Sequence, residues 1–218
     1  MKKRLMWIIP LIFDLIGLIM LIIQATCFKD KFSGLFAFEM FTVTLVLIYP
    51  LIGKIFKLDL PLSLEILMCF HIFCSNYLGT AYRFYDIFPW WDLLCHGYFG
   101  LIAALVAYLV LIHVGGRKMN FLGQILFMYF LPMGCAAFWE ICEYLSDQTT
   151  GGDTQHVYDA PLGVSPVADT IEDMIITFVG ATLFILPLII SYFTNRKFIK
   201  FIDRDFGYIS NETNKEVR

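Results

Sequence analysis

Long apolar segments alternate with short polar ones over most of the 218-residue chain. A helix needs about 20 apolar residues to cross a bilayer core about 30 Å thick. Six segments meet that length, and their bounds are 6–26, 34–55, 60–81, 91–112, 120–145 and 169–193. The pattern therefore predicts an all-α fold, a polytopic integral membrane protein built as a bundle of six transmembrane helices.

The composition agrees with a membrane protein. Hydrophobic residues make up 59% of the chain and charged residues 16%, whereas soluble domains hold about 45–50% and about 25%. We expect residues 1–195 to form one transmembrane domain and residues 196–218 a polar tail. The first apolar run follows a basic start, but it contains Asp14 and is longer than the core of a signal peptide, so it is predicted to be a retained helix.

Lysine and arginine are distributed unevenly between the two sides of these segments. If the N-terminus is cytoplasmic, 13 basic residues fall on the inner side and three, Lys29, Lys31 and Arg83, on the outer side. Such a bias predicts orientation in the membrane. We therefore expect a cell-membrane protein with both termini in the cytoplasm.

Acidic and histidine side chains recur at spacings of three or four residues in the last three segments, so they share a helix face within each segment. The segments alternate in direction, and each group falls at the end predicted to be outermost. The residues are Asp92, His96, Glu140, Glu143, Asp147, Asp169 and Asp173.

Carboxylates at membrane depth cost about 2.5–3.5 kcal/mol each on insertion scales, and a dense group of them either takes up protons or binds a cation. Oxygen ligands with one imidazole favour Zn, Mn or Mg over copper or an iron–sulfur cluster. Two residues are predicted to be catalytic, Glu143 as a general base and His96. The predicted metal ligands are Asp92, His96, Glu140, Asp169 and Asp173.

A structural interpretation of the acidic residues remains open. Asp92 and Asp169 each begin a predicted helix, where a carboxylate can cap the first turn and interact favourably with the helix dipole. Glu172 lies off the stripe formed by Asp169 and Asp173 and is expected to be solvated at the rim.

The loop from about 146 to 168 is long for a simple connection. Its polar residues could fold over the acidic groups, and Asp153 and His156 are predicted to bind substrate together with Arg83. Two alternatives are a plain polar loop and an ion pair between Arg83 and Asp86.

Two further ionisable residues, Asp14 and His71, fall near the middle of predicted spans. They could form a proton or ion path or a mutually satisfied pair. The six cysteines include no CxxC pair and are expected to be small buried hydrophobic residues.

Several of these motifs resemble a known family. The stretches WDLLCHGYFG (91–100), FWEICEYLSD (138–147) and DTIEDM (169–174) with Gly180 are similar to the YjdF-like bacterial inner-membrane proteins, a family of unknown function of the DUF2238 type. The order of the motifs more distantly resembles the VanZ-like family, which is linked to resistance against glycopeptide and lipopeptide antibiotics. The resemblance covers roughly residues 75–185 and implies a membrane bundle with a polar site.

The sequence favours a protein that binds or acts on a lipid-linked or amphiphilic envelope molecule at the outer leaflet, by metal-assisted hydrolysis or transfer if it is an enzyme. Alternatives are a small transporter or ion-coupled permease and a non-catalytic immunity protein. Nothing in the sequence indicates nucleic-acid binding.

Overall fold

The computed structural model describes residues 2–27, 51, 55, 61–151, 153–155, 157 and 167–206. Within these ranges the chain forms helices and no strand, which confirms the all-α prediction. The helices are α1 (Lys2–Cys27), α2 (Leu62–Ile72), which continues as a π-helix (Phe73–Ala81), α3 (Phe84–Ile87), α4 (Trp91–His113), a 3-10 turn (Gly116–Lys118), α5 (Phe121–Thr150), α6 (Ala168–Phe193) and α7 (Lys197–Asp205).

Four helical stretches among the described residues are long and apolar enough to cross a membrane. Their bounds are Leu62–Thr80, Trp91–His113, Phe121–Thr149 and Ala168–Phe193. They match the third to sixth predicted segments, and α1 matches the first, with a shorter apolar stretch at Ile8–Met20. Because nearly all of the second segment, 34–55, lies outside the described residues, the count of six spans stays a prediction.

The chain divides into two compact units, and the first comprises residues 1–92 and 200–218. One cluster in its core contains the buried residues Cys69 and Tyr77, against which α1 places Phe13 and Leu18. Gly17 permits this contact, because a Cβ at that position would overlap the Tyr77 ring. Asp14 on α1 is half-buried in this unit.

The π-helix is a feature that hydropathy alone did not predict. Its polar side chains bond to the backbone of the preceding turn: Ser75 Oγ donates to the His71 carbonyl at 3.1 Å, and Asn76 Nδ2 donates to the Ile72 carbonyl at 3.2 Å. Such bonds compete with the regular helical pattern. In a hydropathy average these polar residues lower the value of the apolar segment only slightly, so the average does not indicate a π-helix.

The second unit, residues 93–199, contains most of α4 together with α5 and α6. α5 runs antiparallel to α6, since the Tyr129 and Thr182 hydroxyls lie 3.1 Å apart near mid-helix while Phe121, at the start of α5, stacks on Tyr192, near the end of α6. α4 runs in the same direction as α6, with Tyr108 against Phe184. The starts of α4 and α6 and the end of α5 therefore share one end of the unit.

Glycines allow α4 and α6 to approach closely at that end. A Cβ on Gly180 would clash with the Gly97 carbonyl oxygen, and a Cβ on Gly100 would clash with the Thr177 carbonyl oxygen. Close backbone contact between small residues is a common means of helix association in membranes, and it permits weak Cα–H···O contacts.

The end of α5 differs from the prediction. The sequence pattern predicted an end near residue 145, but the helix continues to Thr150. Gly151 then adopts a left-handed conformation with φ of 71° and donates its amide to the Asp147 carbonyl at 2.9 Å. Since a glycine takes this conformation at little cost, the helix ends there, and Glu140, Glu143 and Asp147 all lie inside it.

We expect Gly180→Ala to destabilise the fold, because the new methyl group has no room beside the α4 backbone. Overpacking of this kind costs about 1–3 kcal/mol, which should lower the midpoint of thermal unfolding in detergent by several degrees. Gly134→Ala is the matched control, since a Cβ there would meet nothing within 4 Å and alanine favours a helix interior. Equal midpoints for the two variants would contradict the proposed close packing.

Candidate functional site

Three carboxylates from two helices meet at the shared end of the second unit. One oxygen from each of Glu140, Glu143 and Asp173 lies within 4.8 Å of the other two. We call these three residues the carboxylate cluster. Ligand oxygens around one Mg or Zn ion lie about 3.0–3.5 Å apart, given bond lengths of about 2.0–2.1 Å. A small side-chain adjustment would therefore let all three bind the same ion.

The sequence brings these side chains together through helix periodicity. Glu140 and Glu143 are three residues apart on α5, so they share a face. Asp173 lies on the second turn of α6, on the face that continues through Thr177 to Gly180, both of which are buried. Glu140 and Asp173 are nearly inaccessible, with relative exposures of 5% and 1%.

The α4 contribution within this unit is His96. Its Nε2 lies 3.7 Å from Asp173 Oδ2, and the residue is 8% exposed. This distance exceeds a good hydrogen bond but suits an ion pair or two ligands of one cation. The Thr177 hydroxyl donates to the His96 carbonyl at 3.4 Å, which links α6 to the same turn of α4.

The lysine and arginine residues of the second unit stand at the other end of the helices. They are Arg117, Lys118, Arg196 and Lys197, which follow the carboxyl ends of α4 and α6. A helix of about 20 residues separates the two ends by about 30 Å, so these side chains do not balance the charge of the carboxylate cluster. Protonation or a bound cation would offset these adjacent negative charges.

Glu143 is oriented by a neighbour that the sequence prediction did not connect to it. The Trp139 indole Nε1 donates to Glu143 Oε1 at 2.6 Å, one helical turn away. The two residues are four positions apart on α5, and that spacing is the signal that sequence analysis could have used. Hydrogen bonds to a ligating or basic carboxylate fix its orientation.

The other two predicted aspartate ligands, Asp92 and Asp169, are not members of the carboxylate cluster. Asp92 precedes His96 by four residues on α4, so the two share a helix face. Asp169 is in the first turn of α6, one turn before Asp173, and does not belong to the carboxylate cluster. Val167, not Asp169, occupies the N-cap position, and the cap makes no side-chain hydrogen bond. Glu172 is exposed, as predicted.

The beginning of the long loop folds back over the end of α5. The Asp147 carboxylate accepts from the Thr154 amide at 2.9 Å, the Thr154 hydroxyl at 2.7 Å and the Gln155 amide at 3.1 Å. Gln155 Nε2 also donates to the Thr170 hydroxyl at 3.2 Å, which reaches the first turn of α6. Residues 153–155 therefore lie at the same end as the carboxylate cluster.

The structure describes two of the three predicted substrate-binding residues, Asp153 and Arg83, each in its own unit, and their shared role stays a prediction. Asp153 stabilises the loop itself, since its Oδ1 accepts from the Val157 amide at 2.7 Å. His156 lies outside the described residues. Arg83, in the first unit, is exposed and forms an ion pair with Asp86 at 2.5 Å. The sequence allowed this ion pair as an alternative to substrate binding by Arg83.

We expect Asp147→Ala to release residues 154 and 155 from α5, because it removes the acceptor of three hydrogen bonds. Each bond contributes about 0.5–1.5 kcal/mol, so the exchange of the Thr154 and Gln155 amide hydrogens should speed up about tenfold or more. Hydrogen–deuterium exchange of the detergent-solubilised protein measures this effect. Substitution of the adjacent exposed Gln148 by alanine should leave exchange unchanged, and slow exchange in Asp147→Ala would refute the role of this carboxylate.

Comparison with known proteins adds one finding. A family model described as "Predicted membrane protein (DUF2238)" matches residues 9–195, which includes all of α4, α5 and α6. No curated protein and no solved structure matches the chain. Since the family model spans most of the sequence, the chain belongs to the DUF2238 family of membrane proteins.

Proposed function

We propose that this membrane protein binds a divalent cation through Glu140, Asp173 and His96, with Glu143 beside the ion as a general base, and uses that centre to engage an amphiphilic or lipid-linked molecule. The observation that carries the proposal is the convergence of Glu140, Glu143 and Asp173 within 4.8 Å. Two of these carboxylates are almost completely buried. Because burial raises the cost of like charges, a cation would stabilise the arrangement.

The donor set limits which cation fits. Carboxylate oxygens with one imidazole suit Zn, Mn or Mg, whereas copper and iron–sulfur sites use more nitrogen or sulfur. Glu140, Asp173 and His96 would supply ligands from three helices. Asp92, which shares a face of α4 with His96, and Asp169, one turn before Asp173, are further proposed ligands.

Glu143 is the candidate general base. Its carboxylate is half-buried, and Trp139 holds it in place through the 2.6 Å hydrogen bond. A divalent cation lowers the pKa of a bound water and polarises phosphoryl or carbonyl oxygens. Glu143 would accept the proton of the attacking water or hydroxyl group, with His96 as the second catalytic residue. Hydrolysis or group transfer is the class of reaction that this arrangement would support.

The surroundings favour an amphiphilic partner. On α5, two large exposed aromatic side chains, Trp139 and Tyr144, flank the face that carries Glu140 and Glu143. Exposed apolar surface beside a buried polar group can accommodate the acyl chains and the headgroup of one molecule. The distribution of basic residues in the sequence supports placing this end of the helices at the outer face of the cell membrane, with both termini in the cytoplasm.

We expect the purified protein to retain a divalent metal and a double variant, Glu140→Gln with Asp173→Asn, to lose it. Each substitution keeps the side-chain size and removes a charged ligand, so metal affinity should fall more than tenfold. Elemental analysis by mass spectrometry, after dialysis in detergent against low-metal buffer, measures this change. Glu172→Gln is the matched control, because Glu172 is exposed and adjacent to Asp173. Equal metal content in all three proteins would overturn the proposed centre.

We expect Glu143→Gln to abolish turnover of a lipid-linked substrate while the protein stays folded. The protein is reconstituted in liposomes of bacterial lipid extract with added metal, and lipid mass spectrometry follows which species disappear. Depletion by the wild-type protein but not by Glu143→Gln supports a catalytic base. Equal depletion by both proteins would remove Glu143 from the mechanism, and lipid binding without depletion by the wild-type protein would contradict the enzymatic part of the proposal.

A further inference from the structure

The segment after the last span forms a second polar surface that is independent of the carboxylate cluster. α6 ends at Phe193, and α7 begins at Lys197 after three intervening residues. Hydrogen bonds fix the turn between them: the Arg196 amide donates to the Ser191 carbonyl at 2.9 Å, and the Ile199 amide donates to the Ser191 hydroxyl at 3.2 Å. Arg196 adopts a left-handed conformation in this turn, with φ of 56°.

One face of α7 is packed into the protein. Ile202 and Phe206 are buried, and Phe198 contacts the Phe184 ring at a centroid distance of 5.9 Å. The apolar side of this short amphipathic segment is therefore already covered by protein. In this respect α7 differs from an interfacial helix that inserts its apolar face into lipid.

The opposite face of α7 carries a basic stripe made of Lys197, Lys200 and Arg204. At 100° per residue, these positions fall within about 60° of arc, and all three side chains are exposed. Phe201, at the edge of the stripe, is also exposed, and the Arg204 guanidinium lies over its ring at 5.8 Å. Three cations beside an apolar ring match the headgroup and upper acyl region of an anionic lipid.

Acidic neighbours reduce the contribution of one of the three cations. Arg204 Nε lies 2.7 Å from Asp205 Oδ1, and the hydrogen bond from Arg204 lowers the pKa of the Asp205 carboxyl. Asp203 is half-buried on α7 and lies outside the arc of the stripe. The two lysines therefore carry most of the net positive charge of this surface.

The position of α7 directly after the last span is the reason to consider a lipid as the ligand of the basic stripe. The interfacial layer of a bilayer is roughly 5–8 Å thick on each side, and three residues separate α7 from the end of a span. Such a short connection would place the stripe at the depth of lipid phosphates. We propose that the basic stripe of α7 is a binding surface for anionic phospholipid headgroups in the leaflet at the carboxyl end of α6.

Native mass spectrometry of the full-length protein in detergent, titrated with phosphatidylglycerol or phosphatidylcholine, tests this proposal. We expect the wild-type protein to bind phosphatidylglycerol more tightly, since each lysine near an anionic lipid surface contributes several-fold in affinity. Lys197→Gln with Lys200→Gln should weaken phosphatidylglycerol binding roughly tenfold and leave phosphatidylcholine binding unchanged. Lys197→Arg with Lys200→Arg should keep the preference.

The double variant Arg117→Gln with Lys118→Gln is the control. It removes the same amount of positive charge outside α7, so it tests whether lipid binding depends on the basic stripe or on total charge. These two exposed basic residues lie in the turn between α4 and α5, at the same end of the second unit as the carboxyl end of α6. We expect this pair to have a smaller effect than the α7 pair. Equal losses, no preference in the wild-type protein, or displacement of the lipid by inorganic phosphate at the same concentration would each overturn the proposal.

Discussion

The electrostatic cost of placing three carboxylates side by side within apolar helices constrains the rest of this structure. Glu140, Glu143 and Asp173 approach within 4.8 Å of one another, and the lysines and arginines of their unit stand about a helix length away. Like charges in a poorly solvated site repel strongly. Protons or a bound cation would relieve this repulsion, and the donor set is the basis on which we propose a hard or borderline divalent ion.

The helix packing around the cluster explains how the side chains are held in place. Gly97 and Gly180 let the backbones of α4 and α6 touch near His96 and Asp173, and α5 runs antiparallel to α6 with Glu140 beside Asp173. A bulkier residue at the crossing would separate His96 from the carboxylates. The packing of small residues and the polar site thus form one structural unit, in which the position of the ligands depends on the closeness of the helices.

Much of this arrangement follows from the sequence because helical periodicity and span length are strong signals. The spacing of Glu140 and Glu143, and of Asp169 and Asp173, places each pair on one helix face, and alternating spans bring those faces to one end. Local hydrogen bonding is less predictable. In the π-helix, Ser75 and Asn76 bond to the backbone of the preceding turn, and α5 ends at Gly151, which adopts a left-handed conformation. Hydropathy averages contain neither kind of information.

Hydropathy also does not predict the contacts of the loop, because Asp147 can bind Thr154 and Gln155 only if the chain reverses direction after Gly151. The most direct test of the central claim is anomalous X-ray diffraction from crystals of the protein grown with manganese. We predict an anomalous peak about 2.0–2.2 Å from an oxygen of Glu140, an oxygen of Asp173 and a ring nitrogen of His96, with the Glu143 carboxylate close by. Carboxylates that point away from one another, with no peak between them, would contradict it.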